Sequence, residues 1–195
     1  MRGVILPRDR AVETLLTAQR ALFQVGRPVK YNLEYPNGGT DPNAEGPEDK
    51  ETKCADCIAL ALYAAGLDRL QAHFPLYDGY INTDSMIDEA KTTGKWFSRI
   101  AHPTVGCFIV GHTFRRKTPP FRSVVGHIGV CVEVLEYDKR GLAGLGVVHC
   151  SPYNYQFTDG KSAIWKTSGV IWGGYPDLCF IEFNRDYALS LVKPK

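Results

Sequence analysis

The sequence lacks several features that would assign it to a specialised class of protein. Its 23 Lys and Arg residues nearly balance 21 Asp and Glu residues, which leaves a formal net charge of +2. A chain with so little excess charge has no strong field for nucleic acid or for an anionic membrane surface. Its apolar runs all fall short of the roughly 20 residues that a membrane-spanning helix needs. We therefore expect no nucleic-acid partner and no membrane span.

The N-terminal segment, MRGVILPRDRAVETLL, lacks the long apolar centre and the cleavage site of a secretion signal. We therefore expect a protein made in the cytoplasm, or one that leaves the cell by a route without such a signal. Disulfides are not expected from the six cysteines, because 195 residues suffice for a hydrophobic core. Four of the cysteines lie in apolar, strand-like runs and are interpreted as small buried hydrophobes: Cys107, Cys131, Cys150 and Cys179.

The order of secondary-structure signals predicts a single α+β domain over residues 1–195. Residues 9–25 predict an amphipathic helix, because apolar side chains recur there at helical spacing: Val12, Leu15, Leu16, Leu22 and Phe23. Residues 31–53 are polar and predict a long loop, whose part at 40–53 is a candidate cover for a site. A second helix is predicted at residues 85–93. Strands are predicted at 105–111, 127–137, 145–151 and 177–183, and more weakly at 162–169.

Residues 53–68, KCADCIALALYAAGLD, predict a helix that is buried on all sides, because its middle is apolar or small on every face. Asp56 is suited to cap its first turn, and Gly66 to end it. Cys57 would then lie at the positive end of a buried helix, where unpaired backbone N–H groups favour a thiolate. We therefore interpret Cys57 as a nucleophile.

A cysteine nucleophile needs a base, and the base needs a third group that orients it. The chain has five histidines, and two of them lie in predicted strands. His127 begins one strand and His149 lies near the end of the next, so antiparallel pairing brings both to the same end of a sheet. The other three, His73, His102 and His112, fall in predicted loops, where we expect solvated side chains.

These motifs resemble those of the NlpC-type cell-wall cysteine peptidases, within the papain-like CHAP/NlpC superfamily. That family has a buried helix opening with Asp-Cys-Ser-Gly, a strand that starts with His, and a further strand with a third polar residue. The matching residues here are Asp56-Cys57, His127 in GHIGVCVEV and His149 in VVHCSP. The likeness covers most of residues 10–183. It implies a papain-like fold in which N-terminal helices, one of them carrying the cysteine, pack on a C-terminal antiparallel sheet.

By this resemblance Cys57 attacks an amide carbonyl, His127 acts as general base and then acid, and His149 orients His127. The implied substrate is an amide bond of bacterial peptidoglycan, with no metal and no cofactor. A phage lysin, a tail-associated lysin or a toxin injected by a secretion apparatus would fit a chain without a secretion signal. Phage or secretion-apparatus proteins are then candidate partners, and the cell wall is the place of action.

In that family a tyrosine shortly before paired glycines lines the substrate site, which implies Tyr35 or Tyr31 here, with Asp56 beside them. The family's Ser-Gly after the cysteine is replaced by Ile58-Ala59, which makes the site more apolar. Residues 68–103 form a longer insertion. Its aromatic residues are candidates for a wall of the substrate groove if they are exposed: Phe74, Tyr77, Tyr80 and Trp96.

Three alternatives to a wall hydrolase remain open at the level of sequence. The same fold could transfer acyl groups or act on an amide outside the wall, or it could be a non-catalytic module that binds a glycan or a protein. A zinc site is the third, because Cys54 and Cys57 form a C-x-x-C that His127 and His149 would complete. A redox C-x-x-C is less favoured, since a polar loop and not a strand precedes it.

Overall fold

A computed structural model describes the second half of the chain almost completely and the first half in parts. The described residues are 10–27, 30–31, 51–52, 61, 64–65, 83–112, 114–115, 123–124, 126–175, 177–184 and 187. The predictions for Cys57, Asp56 and Tyr35 lie outside them, as does the predicted loop at residues 40–53 except for Glu51 and Thr52, which form a short strand. No helix in the described part is long and apolar enough to cross a membrane.

One antiparallel sheet dominates the described part of the chain. Its strands are β3 (Phe97–Ile100), β4 (Phe108–Gly111), β7 (His127–Val134), β8 (Leu145–Cys150), β9 (Ile164–Ser168) and β10 (Cys179–Phe183). These six strands lie in the order β3-β10-β4-β7-β8-β9. Two short pairs lie apart from it: β1 (Lys30–Tyr31) with β2 (Glu51–Thr52), and β5 (Phe114–Arg115) with β6 (Ser123–Val124).

Helices precede and connect these strands. They are α1 (Arg10–Gln24), α2 (Thr83–Thr92), α3 (Tyr137–Arg140) and α4 (Pro152–Phe157), with 3₁₀ turns at Gly141–Gly144 and Gly169–Gly174. Gly26 and Gly94, which follow α1 and α2, have φ angles of 76° and 58°, which glycine adopts without strain. Ala61 and Ala64, in the segment predicted as a buried helix, have helical backbone and are fully buried. The predicted α+β class with an antiparallel sheet is confirmed.

The sheet buries a core on each of its two faces. On one face, here called the helix face, strand side chains pack against residues of α1 and α2 and against residues 61 and 64: Phe108, Val110, Ile128, Val130 and Val148 against Ala21, Ala61, Ala64, Met86 and Ile87. On the other face, here called the Trp172 face, the core surrounds one indole: Cys107, Ile109, Cys131, Leu145, Val147 and Phe180 around Trp172. Successive residues of each central strand alternate between the two cores, because strand side chains have a period of two.

Helix α1 packs with its apolar stripe turned away from the sheet. The stripe is exposed at Val12 (49%), Leu15 (53%), Leu22 (43%) and Phe23 (70%). The buried side carries small or polar residues instead: Thr17, Ala18, Ala21 and Gln24. Small side chains let the backbones approach closely, and a Cβ atom on Gly106 would lie 1.9 Å from the carbonyl oxygen of Thr14.

A buried carboxylate fixes α2 relative to the sheet. Glu89 is 2% exposed and accepts hydrogen bonds from the backbone N–H groups of Lys95, Trp96 and Phe97 at 2.7, 3.0 and 2.8 Å. The hydroxyl of Thr93 donates a further bond to it. These donors compensate the buried charge. Trp96 is itself 2% exposed, so it is not a wall of an open groove; the other three predicted wall residues lie outside the described part.

Candidate functional site

His127 and His149 are in direct contact at one end of the sheet, as antiparallel pairing of β7 and β8 predicts. Nε2 of His127 lies 2.9 Å from Nδ1 of His149. The rings meet edge to face, with centroids 4.9 Å apart and planes at 85°. In the strand register His149 pairs with Gly129 and not with His127. The two imidazoles are therefore diagonal neighbours on one face of the sheet.

Aromatic rings enclose the imidazole pair on the Trp172 face. Trp172 stacks on His127 at a centroid distance of 5.0 Å and meets His149 edge-on at the same distance. Tyr175 lies parallel to His127 at 6.1 Å. Sequence reasoning missed both aromatic residues. The signal that would have found them is the segment GVIWGGY after the weakly predicted strand, where glycines let a chain fold back over a sheet.

The second nitrogen of His149 also has a partner. Its Nε2 lies 2.9 Å from Oγ1 of Thr167, which the neighbouring strand β9 supplies. The amide of Asn154 bonds the backbone carbonyls of His149 and Ala163 at 3.0 and 3.1 Å. Ser151 in turn accepts from the backbone N–H of Asn154 at the start of α4. Neither Thr167 nor Asn154 was predicted, because such contacts depend on the strand register.

Burial keeps both imidazoles neutral around neutral pH. It lowers the pKa of His127 from 6.5 to about 4. Burial, followed by repulsion from His127, also lowers the pKa of His149 well below its ordinary value, against a smaller opposing effect of a backbone hydrogen bond at Cys150. Nδ1 of His127 makes no hydrogen bond with any described residue. The pair therefore offers a neutral ring that can accept a proton.

The imidazole pair lies on the opposite face of the sheet from the described residues of the predicted cysteine-bearing segment. Both histidines contact Trp172, whereas Ala61, Ala64 and Ala65 pack in the core of the helix face. Cys57 itself lies outside the described residues.

A further imidazole lies at the same end of the sheet, on the helix face. His112 follows Gly111, which pairs with His127. Its Nδ1 lies 3.5 Å from Oδ1 of Asp84 in the first turn of α2, and the two side chains are 31% and 30% exposed. His112 lies outside the strands, as predicted, but is only partly exposed, whereas His102 is 74% exposed and its Nδ1 lies 3.4 Å from Oδ1 of Asp138. An imidazole with a carboxylate partner is chemically able to accept a proton from a thiol.

The remaining predicted site residues are described only in part. Tyr31 lies in β1, while Tyr35, Asp56 and Cys57 lie outside the described residues. Among the residues that the structure covers, no three His, Cys, Asp or Glu side chains are grouped to hold a metal ion. Cys54, which the zinc alternative requires, also lies outside the described part, so that alternative stays open.

Comparison of the chain with protein-family models, with curated proteins and with solved structures finds no match. The geometry of its own residues is therefore the basis for interpreting the site.

Proposed function

We propose that this chain is a cysteine hydrolase of the papain-like NlpC type that cuts an amide bond in the peptide of bacterial peptidoglycan. The contact of 2.9 Å between His127 and His149 carries the proposal. It supplies a base and an orienting group, which are two of the three parts that a thiol nucleophile needs. The sequence supplies the third, Cys57, at a predicted helix start. The proposed place of action is the cell wall, reached by release, by injection or as part of a virion.

In the proposed reaction the Cys57 thiol gives its proton to Nδ1 of His127 while the sulfur attacks the amide carbonyl carbon. His127 then gives this proton to the leaving amine, and the acyl group remains on sulfur as a thioester. Water, deprotonated by His127, hydrolyses the thioester and frees Cys57. Throughout, Nε2 of His127 donates a hydrogen bond to Nδ1 of His149, and this bond keeps the His127 ring oriented.

Burial has two opposing effects on His127 as a base. A pKa of about 4 keeps the ring neutral and its lone pair available at neutral pH, but it also makes the ring a weak base on its own. A thiolate beside the ring would raise that pKa, because opposite charges stabilise each other in a buried site. The proposed proton transfer from Cys57 therefore depends on the thiolate that it creates, because the thiolate stabilises the charged imidazole of His127.

The proposal is tested by clearing of purified cell walls. We expect native protein to reduce the turbidity, and Cys57→Ala to have no effect. Cys54→Ala is the matched control, since it removes the neighbouring thiol and should keep the activity. Equal clearing by native protein and Cys57→Ala would contradict the proposal. Loss of activity in both variants, together with sensitivity to a chelator, would favour the zinc alternative. Mass spectrometry with an added amine distinguishes hydrolysis from acyl transfer.

A second set of variants tests which imidazole is the base. We expect His127→Ala to reduce kcat/KM at least about 1,000-fold, in the range typical of removing a catalytic base, and His112→Ala to change it only a few-fold. The opposite result, an inactive His112→Ala and an active His127→Ala, would assign the base to the pair of His112 and Asp84 on the helix face.

A further inference from the structure

The imidazole of His149 is held on both sides by side chains of neighbouring strands. Its Nδ1 lies 2.9 Å from Nε2 of His127, and its Nε2 lies 2.9 Å from Oγ1 of Thr167. Thr167 pairs with Val147 in the sheet, and residues opposite each other in an antiparallel pair share a face. The three polar side chains thus form one line of hydrogen bonds across β7, β8 and β9.

Asn154 lies close to the same nitrogen but does not compete for it. Its Nδ2 is 3.5 Å from Nε2 of His149, at the limit of a hydrogen bond. An amide nitrogen carries two hydrogens. Both are already used, because Nδ2 donates to the carbonyls of His149 and Ala163 at 3.0 and 3.1 Å. The hydroxyl of Thr167 is therefore the nearest side-chain partner of Nε2 among the described residues, beside the backbone hydrogen bond at Cys150 that also acts on this ring.

We propose that Thr167 is a positioning residue: it holds the proton of His149 on Nε2 and thereby leaves the lone pair of His127 on Nδ1. A neutral imidazole carries one hydrogen and accepts at its other nitrogen. When Nε2 of His149 donates to Thr167, Nδ1 of His149 must accept from Nε2 of His127. Nδ1 of His127 is then unprotonated, as a general base requires. If Thr167 instead donated to Nε2 of His149, Nδ1 of His149 would donate to Nε2 of His127. The hydrogen of neutral His127 would then lie on its Nδ1, and His127 could not act as the base.

The surroundings make this tautomer depend on the hydroxyl. His149 is 2% exposed, so an Nε2–H group without an acceptor would stay unsatisfied. An unsatisfied buried donor is costly, and the proton would move to Nδ1 instead. Threonine suits the position because its branched side chain has few rotamers in a strand, which fixes the direction of Oγ1. The assignment of this tautomer is the proposal itself, since a hydroxyl can also donate to an imidazole lone pair, and its effect on catalysis rests on the proposed function.

The first test reads the tautomers directly and needs no activity. Nitrogen-15 NMR of histidine-labelled protein distinguishes Nδ1–H from Nε2–H in neutral rings. We expect Nε2–H at both His127 and His149 in native protein and in Thr167→Ser. In Thr167→Val, which has the same shape without a hydroxyl, we expect His149 to change to Nδ1–H. The same tautomers in Thr167→Val and native protein would overturn the proposal. So would Nδ1–H at His149 in native protein.

The second test measures kcat/KM on cell-wall peptide as a function of pH. Thr167→Val should lower it at least about tenfold, as loss of a supporting hydrogen bond does at other sites, and Thr167→Ser should restore most of it. Lys166→Gln, a change at an exposed neighbour on the same strand, should have no effect. An unchanged rate in Thr167→Val would overturn the catalytic part. If Cys57→Ala is as active as native protein, the proposed function fails, and the NMR result still decides the tautomer.

Discussion

The backbone of Gly129 lies directly beneath the indole ring of Trp172. A Cβ atom on Gly129 would lie 2.9 Å from Cζ2 of Trp172 and 2.5 Å from Cγ1 of Val147, which is closer than real side chains approach. The same indole contacts both His127 and His149. The absence of a side chain at Gly129 therefore sets how closely Trp172 covers the two imidazoles.

Gly129→Ala is expected to destabilise the protein and to disturb the site together. Overpacking of a dense core typically costs about 1–3 kcal/mol in the free energy of unfolding. The added methyl group would also push Trp172 off the imidazoles, so we expect activity to fall even at temperatures where the variant is folded. Urea denaturation measures the first effect, and the cell-wall assay measures the second.

Gly174→Ala is the control for this change, because a Cβ atom there would meet nothing within 4 Å. Its free energy of unfolding should stay within about 0.5 kcal/mol of native. If Gly129→Ala behaves like Gly174→Ala in both measurements, the close packing between Gly129 and Trp172 does not limit the site.

Five of the six strands of the sheet and its two histidines were predictable because they depend on local rules, whereas β3, inside the predicted insertion, was missed. β-Branched runs mark strands, a short connection makes them antiparallel, and the period of two assigns His127, Gly129 and Cys131 to one face. The contact between the histidines follows from these rules. The contacts of Thr167 and Trp172 do not, because they depend on the register of β9 and on a turn that folds back over the sheet.

Helix α1 shows why a pattern does not determine packing. The spacing of Leu15, Leu22 and Phe23 correctly predicts an amphipathic helix, but it does not say which side meets the sheet. The close approach of Thr14 to Gly106 requires small residues at the interface, and these lie on the other side of the helix. His112 was misjudged for a related reason, since its partner Asp84 comes from a distant helix.

The orientation of α1 predicts opposite effects of two substitutions on its two sides. Ala21→Leu, at a fully buried position, should lower the free energy of unfolding by about 1–3 kcal/mol through overpacking. Phe23→Ser should change the free energy of unfolding by less than about 0.5 kcal/mol, because Phe23 is exposed. The described contact that it would lose is the one between its ring and the guanidinium of Arg27. Thermal and urea unfolding of both variants check this. A severe loss of stability in Phe23→Ser would mean that the apolar stripe is covered.

The buried imidazoles predict a stability that decreases with acid. Below pH 6.5 the unfolded chain binds a proton at His127 that the folded chain, with a pKa of about 4, does not bind until lower pH. The free energy of unfolding therefore falls as the pH is lowered from about 6.5 to about 4. For His127 alone, the loss between pH 7 and pH 5 is about 2 kcal/mol by linkage. His149 adds a loss of the same sign, because its pKa is lowered as well.

His127→Gln is the matched variant for this measurement, because it keeps a polar side chain but has no group that titrates here. Urea unfolding at pH 7, 6 and 5 should show a shallower pH dependence in the variant than in native protein. The difference in slope excludes the carboxyl groups, which both proteins share, and reports His127 together with its repulsion of a charged His149. Equal slopes would mean that His127 has an ordinary pKa in the folded protein.

The cysteines predict a selective reaction of the folded protein with iodoacetamide. Cys107, Cys131, Cys150 and Cys179 are free and buried. A hydrogen bond with Cys107 and then burial raise the pKa of Cys131, and burial raises that of Cys179. Because all four thiols are shielded from the reagent by burial, they should remain unlabelled until the protein unfolds.

If Cys57 is the proposed nucleophile, we expect it to react first, near pH 6, because a helix start and an adjacent imidazole would both favour its thiolate. Cys54, three residues earlier, is the internal control and should react only as the pH approaches about 8.5, the usual pKa of a free thiol. Peptide mass spectrometry after timed labelling separates the two sites. His127→Ala should slow labelling of Cys57 near pH 6 and leave that of Cys54 unchanged. Equal rates at the two cysteines in native protein would show that Cys57 is not activated, and the nucleophile would then have to be sought elsewhere in the chain.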